Sequence, residues 1–204
     1  LGLTEHAEIT IEVNPGTTDY DKFSAFRALG FNRISIGVQS FRDQSLKALG
    51  RVHSAREAEK AYEVARRAGF ENVSLDLISS IPGTPLEHWR YSLERAVDLA
   101  PEHISTYALT IEEGTLFEVR QRQGRLQPVS EEEDAQAYEW AVECLGTAGY
   151  EHYEVSNFAL SGRRSRHNWG CWTGAEYLGV GLSAHSFLDA RRSWNTRDLS
   201  EYIE

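Results

Sequence analysis

Three strand-like runs each carry one side chain able to hold a polar ligand: Glu12 in ITIEVNP, Gln39 in RISIGVQSF and Asp76 in VSLDLI. A fourth candidate, Arg51, lies in the loop Gly50-Arg51-Val52-His53. Two carboxylates, an amide and a guanidinium suit a zwitterion that carries a sugar. A carboxylate holds an ammonium, arginine grips a carboxylate with two parallel bonds, and Asp or Gln accepts from ribose hydroxyls. An isolated acid in a strand is ordinarily half of a local ion pair, so each residue alone weighs little. Four at corresponding places weigh more. A second cluster surrounds His167: Arg163, Arg164 and Arg166 precede it, and Trp169 and Trp172 follow. Guanidinium groups beside an imidazole and flat indoles suit a planar, acid-bearing ligand with a central metal. The plainer alternative is a solvated basic turn with one internally bonded histidine. Cys171 stands close to His167, but two ligands do not make a metal site. His185, in a Gly- and Ala-rich turn, reads as structural.

The elements that must carry these residues follow from the pattern of apolar positions. Ile9, Ile11 and Val13 alternate with Thr10, Glu12 and Asn14, and Ile34, Ile36 and Val38 alternate with Ser35, Gly37 and Gln39. Successive strand side chains point to opposite faces, so each run has one aliphatic and one small or polar face. Val73–Ile78 repeats the pattern, with Leu75 and Leu77 opposing Ser74 and Asp76, and Ile104–Leu109 repeats it more weakly. Helical stretches separate the strands, which implies βα units and a parallel sheet. Both faces of such a sheet are usually aliphatic; here one is polar in strand after strand and should line something wet or liganded. Glu12, Gln39 and Asp76 are expected near the C-terminal strand ends, where βα folds place ligands.

Punctuation supports this reading. Helices are expected over Asp19–Leu29, Ser54–Ala68, Leu86–Leu99 and Ser130–Leu145, the second opening with a Ser54/Glu57 capping box. Leu29-Gly30-Phe31, Ala68-Gly69-Phe70 and Ala148-Gly149-Tyr150 each put a glycine and then an aromatic after a helix, the signature of a left-handed C-terminal cap. The acids Glu131, Glu132 and Glu133 match the helix dipole rather than a metal. Cys144 shares a helix face with Trp140 and Ala141 and reads as a small buried hydrophobe. Leu1–Glu8 reads as the end of an incoming helix or loop, and Glu151–Phe158 as one more strand. Residues 161–187 read as a composite region.

The 204 residues can bury one good core and part of a second domain. A formal charge of −10 argues against nucleic acid or an anionic membrane as partner. No apolar run is long enough for a transmembrane segment. Two well-separated cysteines make no disulfide framework and suggest the cytoplasm. The chain lacks methionine and opens on Leu1 within an element, so it is expected to be a fragment of a longer parent.

Four motifs together carry a resemblance: E-x-N-P at Glu12–Pro15, R-I-S-I-G-V-Q-S-F at Arg33–Phe41, G-R-x-H at Gly50–His53, and L-D-L-I-x-x-x-P-G at Leu75–Gly83. In order and spacing they resemble the oxygen-independent coproporphyrinogen III oxidase group of radical SAM proteins. The resemblance implies an α/β fold: an incomplete six-stranded (β/α) barrel, of which residues 1–149 would hold roughly the last four strands, with a smaller α+β region beginning in 150–204. It also implies S-adenosylmethionine as ligand, its ammonium on Glu12, its carboxylate on Arg51, and its ribose or neighbouring atoms on Gln39 and Asp76. The later segments Tyr153–Ala159, Arg166-His167-Asn168, Tyr177–Gly181 and Ala184-His185-Ser186 resemble the HemW-type branch, regarded as haem chaperones. That implies haem, with His167 as its candidate ligand, and a haem-acceptor protein as partner. Departures are Ser79-Ser80-Ile81 and Thr84-Pro85, where the group usually has a glycine before the Pro-Gly and a glutamine after it, and Cys171, where the branch typically has tyrosine.

Radical SAM proteins hold a [4Fe–4S] cluster on C-x3-C-x2-C, a run this sequence does not contain. The cluster, and with it any radical chemistry, is therefore expected only in the full-length parent, and this fragment alone is expected to be inactive. Two functions are carried forward: haem chaperone, and coproporphyrinogen oxidase acting on the propionates of a porphyrinogen. An aldolase-type barrel ranks below both, because Lys22, Lys47 and Lys60 fall in helices.

Overall fold

A computed structural model describes residues 4–17 and 19–204. The chain divides into two compact units, Leu1–Arg163 and Arg164–Glu204.

The first unit is built on a parallel run of β1 (Thr10–Val13), β2 (Arg33–Gln39), β3 (Val73–Ser79) and β4 (His103–Ala108). Helices α1 (Tyr20–Ala28), α2 (Asp43–Ala48) with α3 (Ala55–Arg67), and α4 (Leu86–Leu99) make the three crossovers. Two further helices, α5 (Leu116–Arg122) and α6 (Glu131–Thr147), lead to β5 (Glu151–Glu154) and β6 (Asn157–Ala159). The single strand expected over Glu151–Phe158 is thus a hairpin reversing at Val155-Ser156, where the Ser156 N–H donates to the Glu154 carboxylate. Its strand β6 pairs antiparallel with β4, giving the sheet order β1-β2-β3-β4-β6-β5. The sheet is open, with β1 and β5 at its edges.

The aliphatic face makes the core. Ile34, Ile36, Val38, Leu75, Leu77 and Ile104 are fully buried, against Phe23, Ala58, Ala65, Leu93, Ala96 and Leu145 from the helices. Each fully buried aliphatic side chain contributes about 1.5–3 kcal/mol. Cys144 belongs to the partly buried rim of this core, and burial pushes its thiol pKa up.

The three glycine-aromatic endings are Schellman caps. Gly30, Gly69 and Gly149 take positive φ, and the N–H groups of Phe31, Phe70 and Tyr150 donate to Phe26, Ala65 and Leu145 respectively. Phe70 and Tyr150 are thereby buried at the strand-side ends of their helices. The Ser54/Glu57 capping box forms, and Ser130 makes a second one with Glu133. Of Leu1–Glu8, the described part, residues 4–8, includes a turn closed by Ala7 N–H donating to the Thr4 carbonyl; Leu1–Leu3 lie outside the described residues.

The second unit holds α7 (Arg166–Thr173), the hairpin β7 (His185–Leu188) with β8 (Arg191–Trp194), and α8 (Leu199–Ile203). His185 therefore opens a strand, its ring against Trp194, rather than sitting in a turn.

Candidate functional site

The polar face exists as a continuous band across the sheet. Strand register sets Glu12 beside Ser35, Ser35 beside Ser74, and Asp76 beside Ser105, which in turn faces Asn157 on β6. Hydroxyls tie the band together. Ser35 Oγ donates to Asp76, 2.9 Å from each carboxylate oxygen; Ser74 Oγ lies 3.3 Å from Asp76 Oδ1; Ser105 Oγ is 2.6 Å from Asn157 Oδ1.

Electrostatics shows that Glu12 and Asp76 share this face. Burial raises the Asp76 pKa; the Ser35 and Ser105 hydroxyls and the Arg33 charge pull it back, and Glu12 pushes it up again. Arg33 is 4% exposed, and its Nε has no hydrogen-bond partner. Two acids whose fields add would be relieved by a cation or by hydroxyl donors.

Not all the expected residues end their strands. Gln39 is the last residue of β2, but Asp76 is followed in β3 by Leu77, Ile78 and Ser79. With Glu12 level with Ser35, and Gln39 level with Leu77, the three side chains climb the face obliquely.

Gln39 is held in an unusual way. The β2–β3 register shifts between Ile36 and Gln39, and Gln39 takes a left-handed φ of 66°, which costs a non-glycine residue about 1–2 kcal/mol. Gly37 makes room beneath it: a Cβ there would lie 2.8 Å from Gln39 Nε2 and 3.2 Å from Asn14 Oδ1. The amides of Gln39 and Asn14 therefore both lie over the bare Gly37 backbone.

Arg51 is exposed and is not in contact with the other three. Its loop is nonetheless fixed. Gly50 takes φ 70° and caps α2, with the Arg51 N–H donating to the Leu46 carbonyl. Buried His53 then pairs through Nε2 with the Val38 carbonyl at 3.0 Å, which anchors the loop to the end of β2 just before Gln39.

In the second unit, His167 is exposed on α7. One turn on, Cys171 Sγ lies 3.8 Å from His167 Nε2, and Tyr177 meets the imidazole edge-on at 5.8 Å. Trp169 and Trp172 are 41% and 60% exposed, and the Arg164 guanidinium lies 4.8 Å above the Trp169 ring. The helix opens with Ser165 capping the Asn168 N–H, so the stretch is an ordered helix rather than a basic turn. Gly179 is the tight point: a Cβ there would lie 2.1 Å from the His185 carbonyl oxygen.

Comparison with known proteins now bears on this geometry. The radical SAM superfamily model matches residues 3–96, which span β1 to α4 and include Glu12, Gln39, Arg51 and Asp76. Over those residues the chain is similar to the radical SAM superfamily. A protein of Escherichia coli named heme chaperone HemW is 41% identical over 211 residues, covering 100% of this chain and 54% of the relative. The Bacillus subtilis protein of that name is 37% identical over 198 residues, covering 97% and 52%. Among solved structures, a coproporphyrinogen III oxidase from Escherichia coli, described as a radical SAM enzyme, superposes with a TM-score of 0.79 at 25% identity, covering 96% of this chain and 48% of that one. The chain thus spans about half the length of the curated relatives it matches.

The polar face has groups that would fit S-adenosylmethionine: acceptors in Glu12 and Asp76, an amide in Gln39, and a guanidinium on an anchored loop. The iron–sulfur cluster does not fit this chain's residues. Its two cysteines lie in different units, and among the described residues no three His, Cys, Asp or Glu side chains converge on one point. Sequence reasoning missed His103. It is fully buried, with Nδ1 2.8 Å from Ser74 Oγ and Nε2 2.8 Å from the Tyr153 hydroxyl. Desolvation, with help from the Arg33 charge, pushes its pKa down to about 3. The signal was present: His103 has the same strand parity as Ser105.

Proposed function

We propose that this chain is the S-adenosylmethionine-holding and haem-holding part of a haem chaperone of the radical SAM group. The carrying observation is the polar sheet face tied together by Ser35, Ser74 and Ser105, on which burial raises the Asp76 pKa and the Glu12 charge adds to it. A ligand bearing an ammonium and a sulfonium relieves that repulsion, and ribose hydroxyls can donate to Asp76 lone pairs that Ser35 and Ser74 do not use. Gln39, turned over Gly37, adds an amide, and Arg51 offers a two-pronged donor for the methionine carboxylate. Bound S-adenosylmethionine supplies an activated adenosyl–sulfur bond; the residues here bind and orient it.

For haem, α7 supplies His167 as an imidazole ligand, indoles that can lie against the macrocycle, and arginines for the propionates. Relatives named heme chaperone support this half of the reading, and a haem-acceptor protein follows as partner. The two free cysteines accord with a reducing cytoplasm.

The structural likeness to a coproporphyrinogen III oxidase keeps a second reading open, in which a porphyrinogen is substrate rather than haem cargo. Titration of the full-length protein separates the two. The chaperone reading expects a haem absorbance band that is lost in His167→Ala, and S-adenosylmethionine affinity that falls at least tenfold, about 1.4 kcal/mol, in Asp76→Ala. Decarboxylation of coproporphyrinogen III by the reconstituted protein would overturn it.

A further inference from the structure

A line of four side chains runs through the sheet behind Asp76: Tyr153 on β5, His103 on β4, and Ser74 and Asp76 on β3. Its links are 2.8 Å, 2.8 Å and 3.3 Å. Tyr153, His103 and Ser74 are all buried, and Ser74 Oγ and both His103 ring nitrogens find partners within the line.

Proton counting gives the line a direction. Ser74 has one hydroxyl proton and two neighbours that can accept it, Asp76 Oδ1 and His103 Nδ1. If it goes to His103, the carboxylate loses a donor, and a buried anion suffers most from such a loss. If it goes to Asp76, His103 must carry its own proton on Nδ1 and accept at Nε2 from the Tyr153 hydroxyl. With Asp76 as the carboxylate and His103 as the neutral imidazole, only this second order makes all three hydrogen bonds. Neutral imidazole is the form its burial favours.

We propose that His103 is a positioning residue for Asp76: its Nδ1–H, set by Tyr153, fills the Ser74 oxygen and commits the Ser74 proton to the carboxylate. The inference rests on the reading that Asp76 holds the S-adenosylmethionine ribose. The donated proton counters the burial that raises the Asp76 pKa, favours the carboxylate form, and leaves further lone pairs for a ligand. Other charges act on the same carboxyl: Glu12 from β1 and Arg33 from β2, with Tyr107 from β4 beside it.

Two measurements on the full-length protein test this. Nitrogen-15 NMR of histidine-labelled protein, with the His103 signal assigned by its loss in His103→Asn, should show the Nδ1–H tautomer at neutral pH; the Nε2–H tautomer would overturn the proposal. S-adenosylmethionine binding is then titrated against pH. His103→Leu should weaken binding about five- to tenfold and raise the pH at which acid abolishes it, while His103→Asn, which keeps an N–H near the Nδ1 position, should restore both to within about twofold. Wild-type affinity and pH profile in folded His103→Leu would refute it. If Asp76→Ala itself leaves binding unchanged, the ribose assignment falls, and with it the purpose given to the relay, whatever the tautomer.

Discussion

Replacing Gly37 with alanine separates what holds this fold from what holds its ligand. The new methyl would lie 2.8 Å from Gln39 Nε2 and 3.2 Å from Asn14 Oδ1, but 3.6 Å from the nearest backbone atom, the Val13 carbonyl oxygen. The two close neighbours are tips of flexible side chains and can swing away; the backbone contact is ordinary. Gly37 does not itself have a positive φ, so alanine fits the strand without strain. Restricting the unfolded chain then returns about 0.4–1 kcal/mol, against a comparable loss from displacing two polar groups. Net stability should stay within about 1 kcal/mol, a shift of no more than about 2–4 °C in Tm.

Binding should respond more strongly. Gln39 accepts a left-handed backbone to hold its amide over Gly37, and that position is what the methyl takes. Loss of one hydrogen bond, about 0.5–1.5 kcal/mol, predicts about a two- to tenfold weaker Kd for S-adenosylmethionine. Calorimetric titration and thermal melting of full-length wild type and Gly37→Ala give both numbers. Unchanged affinity at unchanged Tm would show that the Gln39 amide contributes nothing to binding. A collapse in Tm would show that Gly37 serves packing alone.

Three further outcomes follow from the structure. Acid should destabilise the first unit through His103: its folded pKa of about 3 lies below its ordinary value of 6.5, so the unfolded state takes up the proton between those values. That stability is complete above pH 6.5 and falls as pH drops, by about 3 kcal/mol at pH 4.5; the raised Asp76 pKa works in the opposite sense. Urea melts at pH 7.5 and 4.5 should show a smaller difference in His103→Asn, and an equal one would contradict this assignment. Gly179→Ala sets a methyl 2.1 Å from a backbone oxygen that cannot swing away; it should loosen the bridge between Tyr177 and Phe187 of β7, seen as faster exchange of those two amides, which bond each other's carbonyls, and equal exchange rates would count against the clash. Ser54→Ala removes an exposed capping box and should lower stability by about 1 kcal/mol with no effect on ligand affinity.

Much of the first unit was legible because its signals are local. Alternation in β1, β2 and β3 is complete within each run, and a glycine followed by an aromatic marks a helix end without reference to anything distant. What escaped depends on neighbours far away in sequence. Reading β4 from Ile104 left out His103, whose role is set by Ser74 and Tyr153. The reversal at Val155-Ser156 goes with the pairing of β6 with β4, so Asn157 was not seen as part of the polar band. Nothing local predicts a left-handed glutamine at position 39; the register shift against β3 produces it. The Ser165 cap did have a local signal, a serine three residues before Asn168, that the surrounding arginines obscured.

A polar face inside a sheet must satisfy its own hydrogen bonds or lose the stability the opposite face provides. Here small hydroxyls do most of that work. Ser35, Ser74 and Ser105 sit level with one another or one pleat apart, each bonded to a neighbouring strand, and bury little polar surface in doing so. This leaves Glu12, Asp76 and Arg33 as the charged groups of the band, with Glu12 exposed and Asp76 half-buried. A sheet that needed only to fold would have placed aliphatic residues at 35, 74, 76 and 105, each worth about 1.5–3 kcal/mol of burial. Four polar positions given up in register, around one carboxylate whose pKa is raised and whose donors are prearranged, are better explained by a ligand than by chance. Valine at Ser35 and Ser74 together strips Asp76 of two hydroxyl donors and leaves buried His103 Nδ1 without its partner, so it should lower both the melting temperature and the S-adenosylmethionine affinity; a folded double variant that kept its affinity would break the link between the band and the ligand.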